Sequence, residues 1–429
     1  MKYQIPKGLF DILPNAKESF KEVSRWQYLE SIIKKLAIDY NFEEIRVPIF
    51  EKTELFLRGV GATSDIASKE LYTFLDKAKR SMSLRPEGTA SVMRAFIENN
   101  LSQEKKFHKL YYMGPMFRYD RPQKGRYRQH HQLGVEIIGD KSFEIDAEVI
   151  DMLVTLFKRL ELKNLKLLIN SIGDLETRTN YKKALLDFLK PNFENLSEES
   201  KARFDKNPMR ILDSKDERDK KILKEAPSIL DFLSDAAKKH FENLLNLLDK
   251  LDIKYEVDSK LVRGLDYYDD TVFEVVSEKL GGAQNSLGGG GRYNSLLKSL
   301  GGPDLPGIGF ACGLERILQT MIEEEVYFPE KEGPFLYIIP IGEDAKDFAI
   351  LLAKDLRHHK ISVDIDLNAK KIQKSLSLAD KLNAKNALIL ADDEMQKKVA
   401  SFKNLDKREQ QEIKFEDLKN FIRDKFYKL

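Results

Sequence analysis

A strand with two faces of opposite character constrains this chain first. In Gln132-Leu-Gly-Val-Glu-Ile-Ile138 a period of two puts Gln132, Gly134 and Glu136 on one side and Leu133, Val135 and Ile137 on the other. The second set buries readily. The first is an amide, a bare backbone and a carboxylate, which suits the floor of a polar cavity, and the glycine leaves room for a ligand against the strand. Gly307-Ile-Gly-Phe-Ala-Cys-Gly-Leu-Glu-Arg316 repeats the device. Gly307, Gly309 and Ala311 form a stripped face that a flat ring can use, while Ile308, Phe310 and Cys312 point the other way. Arg316 falls in the first turn of the helix that follows. A cation there opposes the helix dipole, so a bound anion is its natural purpose.

Other stretches offer polar chemistry on turns. Leu261-Val-Arg-Gly-Leu-Asp-Tyr-Tyr268 carries an arginine and two tyrosines on a glycine-hinged turn, leading into a strand from Thr271 to Val276. The plain reading is a polar loop in which Arg263 pairs with Asp266. Between the strands Leu110–Phe117 and Gln132–Ile138, the residues Arg118, Arg121, Lys124, Arg126 and Arg128 make the densest positive patch of the chain. Arginine forks suit a triphosphate or a nucleic-acid backbone. Arg85-Pro-Glu-Gly-Thr89 places Glu87 just ahead of a helix start, where a carboxylate is favourable in any case. Leu287-Gly-Gly-Gly-Gly-Arg-Tyr-Asn294 permits close backbone approach to a ligand, but it is neither a P-loop nor a dinucleotide fingerprint.

Composition narrows the classes. The chain's 429 residues exceed one compact core, so two or more domains are expected. A net charge of +2 means that any nucleic-acid contact comes from local basic clusters rather than a global field. The single cysteine, Cys312, excludes an internal disulfide and fits a reducing cytoplasm. No apolar run is long enough for a signal peptide or a membrane span. The histidine pairs His130-His131 and His358-His359 lack zinc-site spacing, so no protein metal site is expected.

Periodicity places the remaining elements. A helix is expected from Pro14 or Asn15 to about Asp39, then an edge strand over Asn41–Pro48. Residues 175–251, rich in Lys, Glu, Asp and Leu at helical spacing, read as a helical insertion within a first domain of residues 1–330. Beyond the linker Lys331-Glu-Gly-Pro334, strands at 335–340, 361–366 and 386–391 alternate with helices at 345–359 and 371–382, and a last helix spans 415–427. That alternation implies a parallel or mixed sheet with covering helices over residues 331–429.

Eight consecutive residues, LVRGLDYY, match the histidine-specific signature of histidyl-tRNA synthetases. GGGRYN resembles the second such signature. GPMFR, RPQKGRYRQ and HQLGVE resemble the second class II motif, GLER the third, and the first helix, strand and Pro48 the first. The motifs fall in family order over nearly the whole chain. The resemblance implies an α+β fold: a class II antiparallel sheet with helices, a helical insertion lying over the tRNA acceptor arm, and a C-terminal α/β anticodon-binding domain. It also implies a cytoplasmic homodimer with histidine, ATP and tRNA(His) as partners, and magnesium arriving with ATP.

Residue by residue, the resemblance gives Arg118 and Arg263 the α-phosphate as catalytic cations, and Arg126 and Arg316 the outer phosphates. Asp120 and His130 stand near the adenine. Glu87, Thr89 and Gln132 take the substrate's amino group, Glu136 and Tyr268 its two imidazole nitrogens, and Tyr293 closes the pocket. Arg121 and Gln123 meet the extra 5′ nucleotide of the tRNA. Three positions depart from the family: Asp120 for Glu, His130 for Phe and Asn294 for Asp. A neutral imidazole at 130 can still stack on adenine, and the neighbouring arginines favour the neutral form. Rival readings are a non-catalytic synthetase-like regulator of ATP phosphoribosyltransferase and a general RNA-binding module. The first typically lacks the anticodon domain and the motif arginines, and the second leaves the amino-acid pocket without a purpose.

Overall fold

The structure, a computed structural model, describes residues 3–61, 66–121, 125–280 and 285–428. The chain divides into two compact units, Met1–Phe328 and Pro329–Leu429. Strands of the first unit are β1 (Glu43–Glu44), β2 (Phe50–Lys52), β3 (Thr73–Leu75), β4 (Ser81–Leu84), β5 (His108–Phe117) and β6 (Gln129–Ile138), followed by β7 (Leu165–Ser171), β8 (Glu256–Val257), β9 (Asp269–Ser277), β10 (Ser286–Arg292) and β11 (Gly307–Gly313). Among the described residues they build an eight-stranded sheet in the order β1-β5-β6-β11-β10-β9-β7-β8 and a small sheet β2-β4-β3. The interior pairs of the large sheet, β5 to β7, are antiparallel; only the two-residue edge strands β1 and β8 add in parallel.

The helix Phe143–Arg159 packs its buried Val149, Ile150, Leu153 and Leu156 on one side of this sheet. It meets Leu133, Val135 and Ile137 from β6 and Ile308, Phe310 and Cys312 from β11, the two apolar faces anticipated from alternation. The first helix adds Trp26, Ile33 and Leu36 to the same cluster. It is shorter than its pattern implied. Asn15 adopts a left-handed φ of 64°, Ser19–Lys21 is a 3-10 turn, and the α-helix runs Val23–Asp39. The strand expected over 41–48 shrinks to Glu43–Glu44. Buried Arg85 takes the Val47 carbonyl at 2.9 Å, so the main chain there serves a guanidinium rather than a ladder.

The insertion begins with the helix Leu175–Leu189, capped by Asp174, and ends with the helix Asp235–Lys250, capped by Ser234. Two shorter helices, Glu198–Phe204 and Glu217–Leu223, lie between them. Its Tyr181, Leu185, Ile211 and Leu223 share one apolar cluster with Tyr112, Tyr268 and Tyr293.

The second unit holds β12 (Leu336–Pro340), β13 (Val363–Ile365), β14 (Asn386–Leu390), β15 (Val399–Asn404) and β16 (Gln410–Lys414), in the order β13-β12-β14-β15-β16. β13, β12 and β14 run parallel and the last two strands antiparallel, giving a mixed sheet. β15 and β16 escaped the sequence reading because their apolar content is slight: Val399, Ala400 and Phe402 in the first and Ile413 alone in the second. The helices Glu343–His358 and Phe415–Tyr427 close a separate core around Leu336, Leu388, Leu418 and Ile422.

Candidate active site

The pocket lies on the face of the large sheet opposite the helix Phe143–Arg159, at the level of β6, β11 and β10. Gln132 and Glu136 rise from β6. Glu87 comes from the turn after β4 and Thr89 opens the helix Thr89–Glu98, Arg118 follows β5, and Arg263, Tyr267 and Tyr268 come from the turn before β9. Tyr293 and Arg316 follow β10 and β11. With Asp120, Arg126 and His130 these include every expected histidine and ATP residue. Arg121 is exposed and does not line the pocket. Gln123 lies outside the described residues.

One end of the pocket is a knot of hydroxyls around a carboxylate. Glu136 is fully buried and accepts from Thr89 Oγ1 at 2.7 Å, from Tyr112 Oη at 3.3 Å and from the Tyr293 hydroxyl. Burial pushes its pKa up to about 8, against the pull of those donors. β11 makes the room. Gly309 pairs opposite Glu136, and a Cβ on Gly309 would stand 2.4 Å from Glu136 Oε2. Glu87 accepts the amides of Thr89 and Ala90 at 2.6 and 3.0 Å, so it caps the helix Thr89–Glu98 while facing the pocket. Gln132 Oε1 is buried with no hydrogen-bond partner among the described residues, so it stands ready for a donor.

The glycine expectations need correction. A Cβ on Gly134 would sit 2.1 Å from the Tyr112 ring, and one on Gly307 2.2 Å from the Tyr293 ring. These glycines make room for tyrosines that line the pocket, not directly for a ligand. The stripped face of β11 is therefore filled at Gly307 by Tyr293 and at Gly309 by Glu136, and it stays open only toward Ala311 and Gly313. Nor does Gly264 adopt a positive φ, so the signature turn is not hinged by a left-handed glycine.

The other end is cationic. Arg118 is pinned by the Pro86 carbonyl at 2.9 Å, and Arg316 by the carbonyls of Gly125 and Ser286 at 3.0 and 2.8 Å. Arg126 pairs with Asp120 and with Glu70, the latter at 3.1 Å. Asp120 is thus a clamp on an arginine in this structure. Arg263 does not pair with Asp266. It reaches Glu274 of β9 at 3.0 Å, with its Nε left without a partner among the described residues. Gly289 gives it space, since a Cβ there would stand 2.9 Å from Arg263 Nη1. Asp266 instead accepts from Asn207 at 2.8 Å. His130 is held neutral, because burial and then Arg118 push its pKa well below the usual histidine value. Asn294 lies outside the pocket lining, where its amide donates to Asp270 at 3.0 Å. An aspartate could not make that bond.

Tyr112, Tyr267 and Glu315 line the pocket but carried no role in the sequence reading. Glu315 accepts the His131 main-chain amide at 2.9 Å and so ties the end of β11 to β6. Tyr112 could have been found from its place opposite Gly134 in the β5–β6 register.

A cavity floored by an antiparallel sheet, with a hydroxyl-bound carboxylate at one end, Arg118, Arg126 and Arg316 gathered at the other and Arg263 beside Tyr268, is the catalytic architecture of a class II aminoacyl-tRNA synthetase. The family model for histidyl-tRNA synthetase matches residues 8–317, and that for an anticodon-binding domain matches residues 336–425. A histidine–tRNA ligase of Protochlamydia amoebophila is 53% identical over 406 residues, covering 94% of this chain and 96% of that protein. One from Geobacillus sp. is 49% identical over 427 residues, covering 99% and 100%. The crystal structure of apo histidyl-tRNA synthetase from S. aureus, 38% identical, superposes with a TM-score of 0.82 over 98% of this chain and 100% of that one. The chain belongs to the histidyl-tRNA synthetase family, ATP-dependent ligases that join histidine to tRNA.

Proposed function

We propose that this single pocket activates histidine on ATP and passes it to the 3′ end of tRNA(His), with the residue roles assigned here. The observation that carries the reading is that one cavity gathers Gln132, Glu136 and Tyr268 together with Arg118, Arg126, Arg263 and Arg316, with Arg263 beside Tyr268. Carboxylate attack on an α-phosphate gathers negative charge, and fixed cations answer it without an acid or base. Arg118 and Arg263 stabilise the α-phosphate; Arg126 and Arg316 hold the outer phosphates. The spare Nε of Arg263 supports its role.

Glu136 and Tyr268 hold the two imidazole nitrogens, since a ring with a nitrogen on each side needs one partner per side. Gln132, with Glu87 and Thr89, takes the ammonium group. Tyr293 closes the pocket while keeping Glu136 in place. Asp120 and His130 flank the nucleotide, Asp120 by holding Arg126. Arg121 and Gln123 meet the 5′ end of the tRNA. The pocket's carboxylates are engaged by protein donors, and its phosphate end is arginine-lined. That fits an anionic triphosphate, so magnesium enters bound to ATP and helps neutralise its phosphates.

Residues 331–429 bind the anticodon stem, with exposed Lys370, Lys371 and Lys374 offering phosphate contacts. Residues 175–251 form the insertion over the acceptor arm. A homodimer is supported by the exposed apolar Ile49, Phe50, Phe74 and Leu75 on and beside the small sheet. No helix of the described residues is long and apolar enough to cross a membrane, and we place the enzyme in the cytoplasm. ATP–pyrophosphate exchange assayed with each amino acid tests the assignment. Histidine alone is expected to support exchange; no exchange with histidine overturns it.

A further inference from the structure

The turn that carries Arg263 and the two tyrosines is gripped from the insertion at three places. Arg178, on the helix Leu175–Leu189, donates Nη1 to the Tyr268 carbonyl at 2.9 Å. Asn207 donates Nδ2 to Asp266 Oδ1 at 2.8 Å. Arg210 donates Nη1 to the Gly264 carbonyl. From the sheet side, Asn170 of β7 holds the Leu261 carbonyl at 3.0 Å. The pocket-facing residues therefore sit between fixed points: Arg263 between the carbonyls of 261 and 264, Tyr267 and Tyr268 between Asp266 and the carbonyl of 268. Packing agrees independently. Ile211, next to Arg210, is fully buried in the same apolar cluster as Tyr268 and Tyr293.

We infer that Arg178, Asn207 and Arg210 of the helical insertion are positioning residues for histidine activation. They set Arg263 and Tyr268 from outside the catalytic sheet, so anything that shifts the insertion is read at the α-phosphate. The inference rests on the roles given above to Arg263 and Tyr268. The physical reason is that the turn belongs to no strand or helix. Its Gly264 and Tyr268 carbonyls are satisfied by side chains, and a misplacement of about 1 Å at a reacting group can cost roughly 100-fold in rate.

The test is ATP–pyrophosphate exchange on full-length Arg210→Ala, Asn207→Ala and Arg178→Ala, with thermal unfolding alongside. Each is expected to lower kcat about 10- to 100-fold and to raise KM for histidine, with KM for ATP within about twofold of the parent and the fold retained. Arg210→Lys, which keeps one donor for the Gly264 carbonyl, is expected to recover most of the loss. If an alanine variant does not fold, Asn207→Leu removes the donor at similar volume without adding a charge beside Asp266, and is expected to show the same split. Kinetics within twofold of the parent in the folded Arg210 and Asn207 variants overturn the inference, as does an equal rise in both KM values. Arg263→Ala separates the two levels. If it loses exchange while the insertion variants do not, only the positioning role fails; if it too exchanges normally, the reading of the site fails.

Discussion

Removing the Arg263 guanidinium deletes the cation proposed for the α-phosphate and leaves the partly buried Glu274 without its partner. Arg263→Ala is expected to slow adenylate formation by about 10²–10³ with tRNA binding nearly intact, and to lower Tm, while Arg263→Lys spares Tm better than activity. Normal exchange in the alanine variant would remove Arg263 from its role. Glu136 makes a prediction in pH. Its folded pKa of about 8 lies above the ordinary 4.5, so the folded state keeps a proton that the unfolded state loses. Stability conferred by the neutral carboxyl is full below about pH 4.5 and falls as pH rises toward 8, at up to about 1.4 kcal/mol per pH unit. Glu136→Gln should flatten that slope in denaturant titrations and raise KM for histidine far more than for ATP; an unchanged slope would mean that Glu136 is ionised in the fold. His130→Phe should lower KM for ATP and leave KM for histidine alone. Because His130 is already held neutral, the pH profile of ATP binding between about 5.5 and 7.5 should not change.

Strands β6 and β11 act as one element. Their register sets Gly309 beside Glu136 and Gly313 beside Gln132, so a glycine on one strand answers a side chain on the other. Gly309→Ala would place a Cβ 2.4 Å from Glu136 Oε2 and 2.1 Å from the Val135 carbonyl. It should lower Tm and raise KM for histidine more than KM for ATP, measured by exchange kinetics on the folded variant. Equal kinetics would show that Glu136 can move without consequence. The faces of both strands were legible because a period of two is written directly in the residues. What filled the glycine spaces was not, because Tyr112 and Tyr293 arrive from other elements.

The two units bury separate cores. The clusters around Leu133 and Tyr268 draw only on residues up to Phe328, and those around Leu336 and Tyr337 only on residues after Pro334. Residues 1–328 alone should therefore fold and sustain ATP–pyrophosphate exchange, while charging of tRNA(His) falls at least tenfold for want of the anticodon contacts. Loss of exchange in a folded truncation would mean that the second unit takes part in activation.

By itself the sequence determined the sheet's apolar and polar faces, the arginines and the carboxylate that line the pocket, and the order of the motifs. Each is a local pattern: alternation, a glycine run, or a cluster of like charge. Tertiary structure alone decided the partners. Arg263 finds Glu274 rather than the nearby Asp266, because β9 turns Glu274 toward the space above Gly289. Arg126 is clamped by Asp120, and Glu136 is shared among Thr89, Tyr112 and Tyr293 from three separate segments. The grip of the insertion on the signature turn spans 54 to 90 positions along the chain. Contacts at such separations leave no local pattern, because they depend on how strands distant in sequence are brought into register.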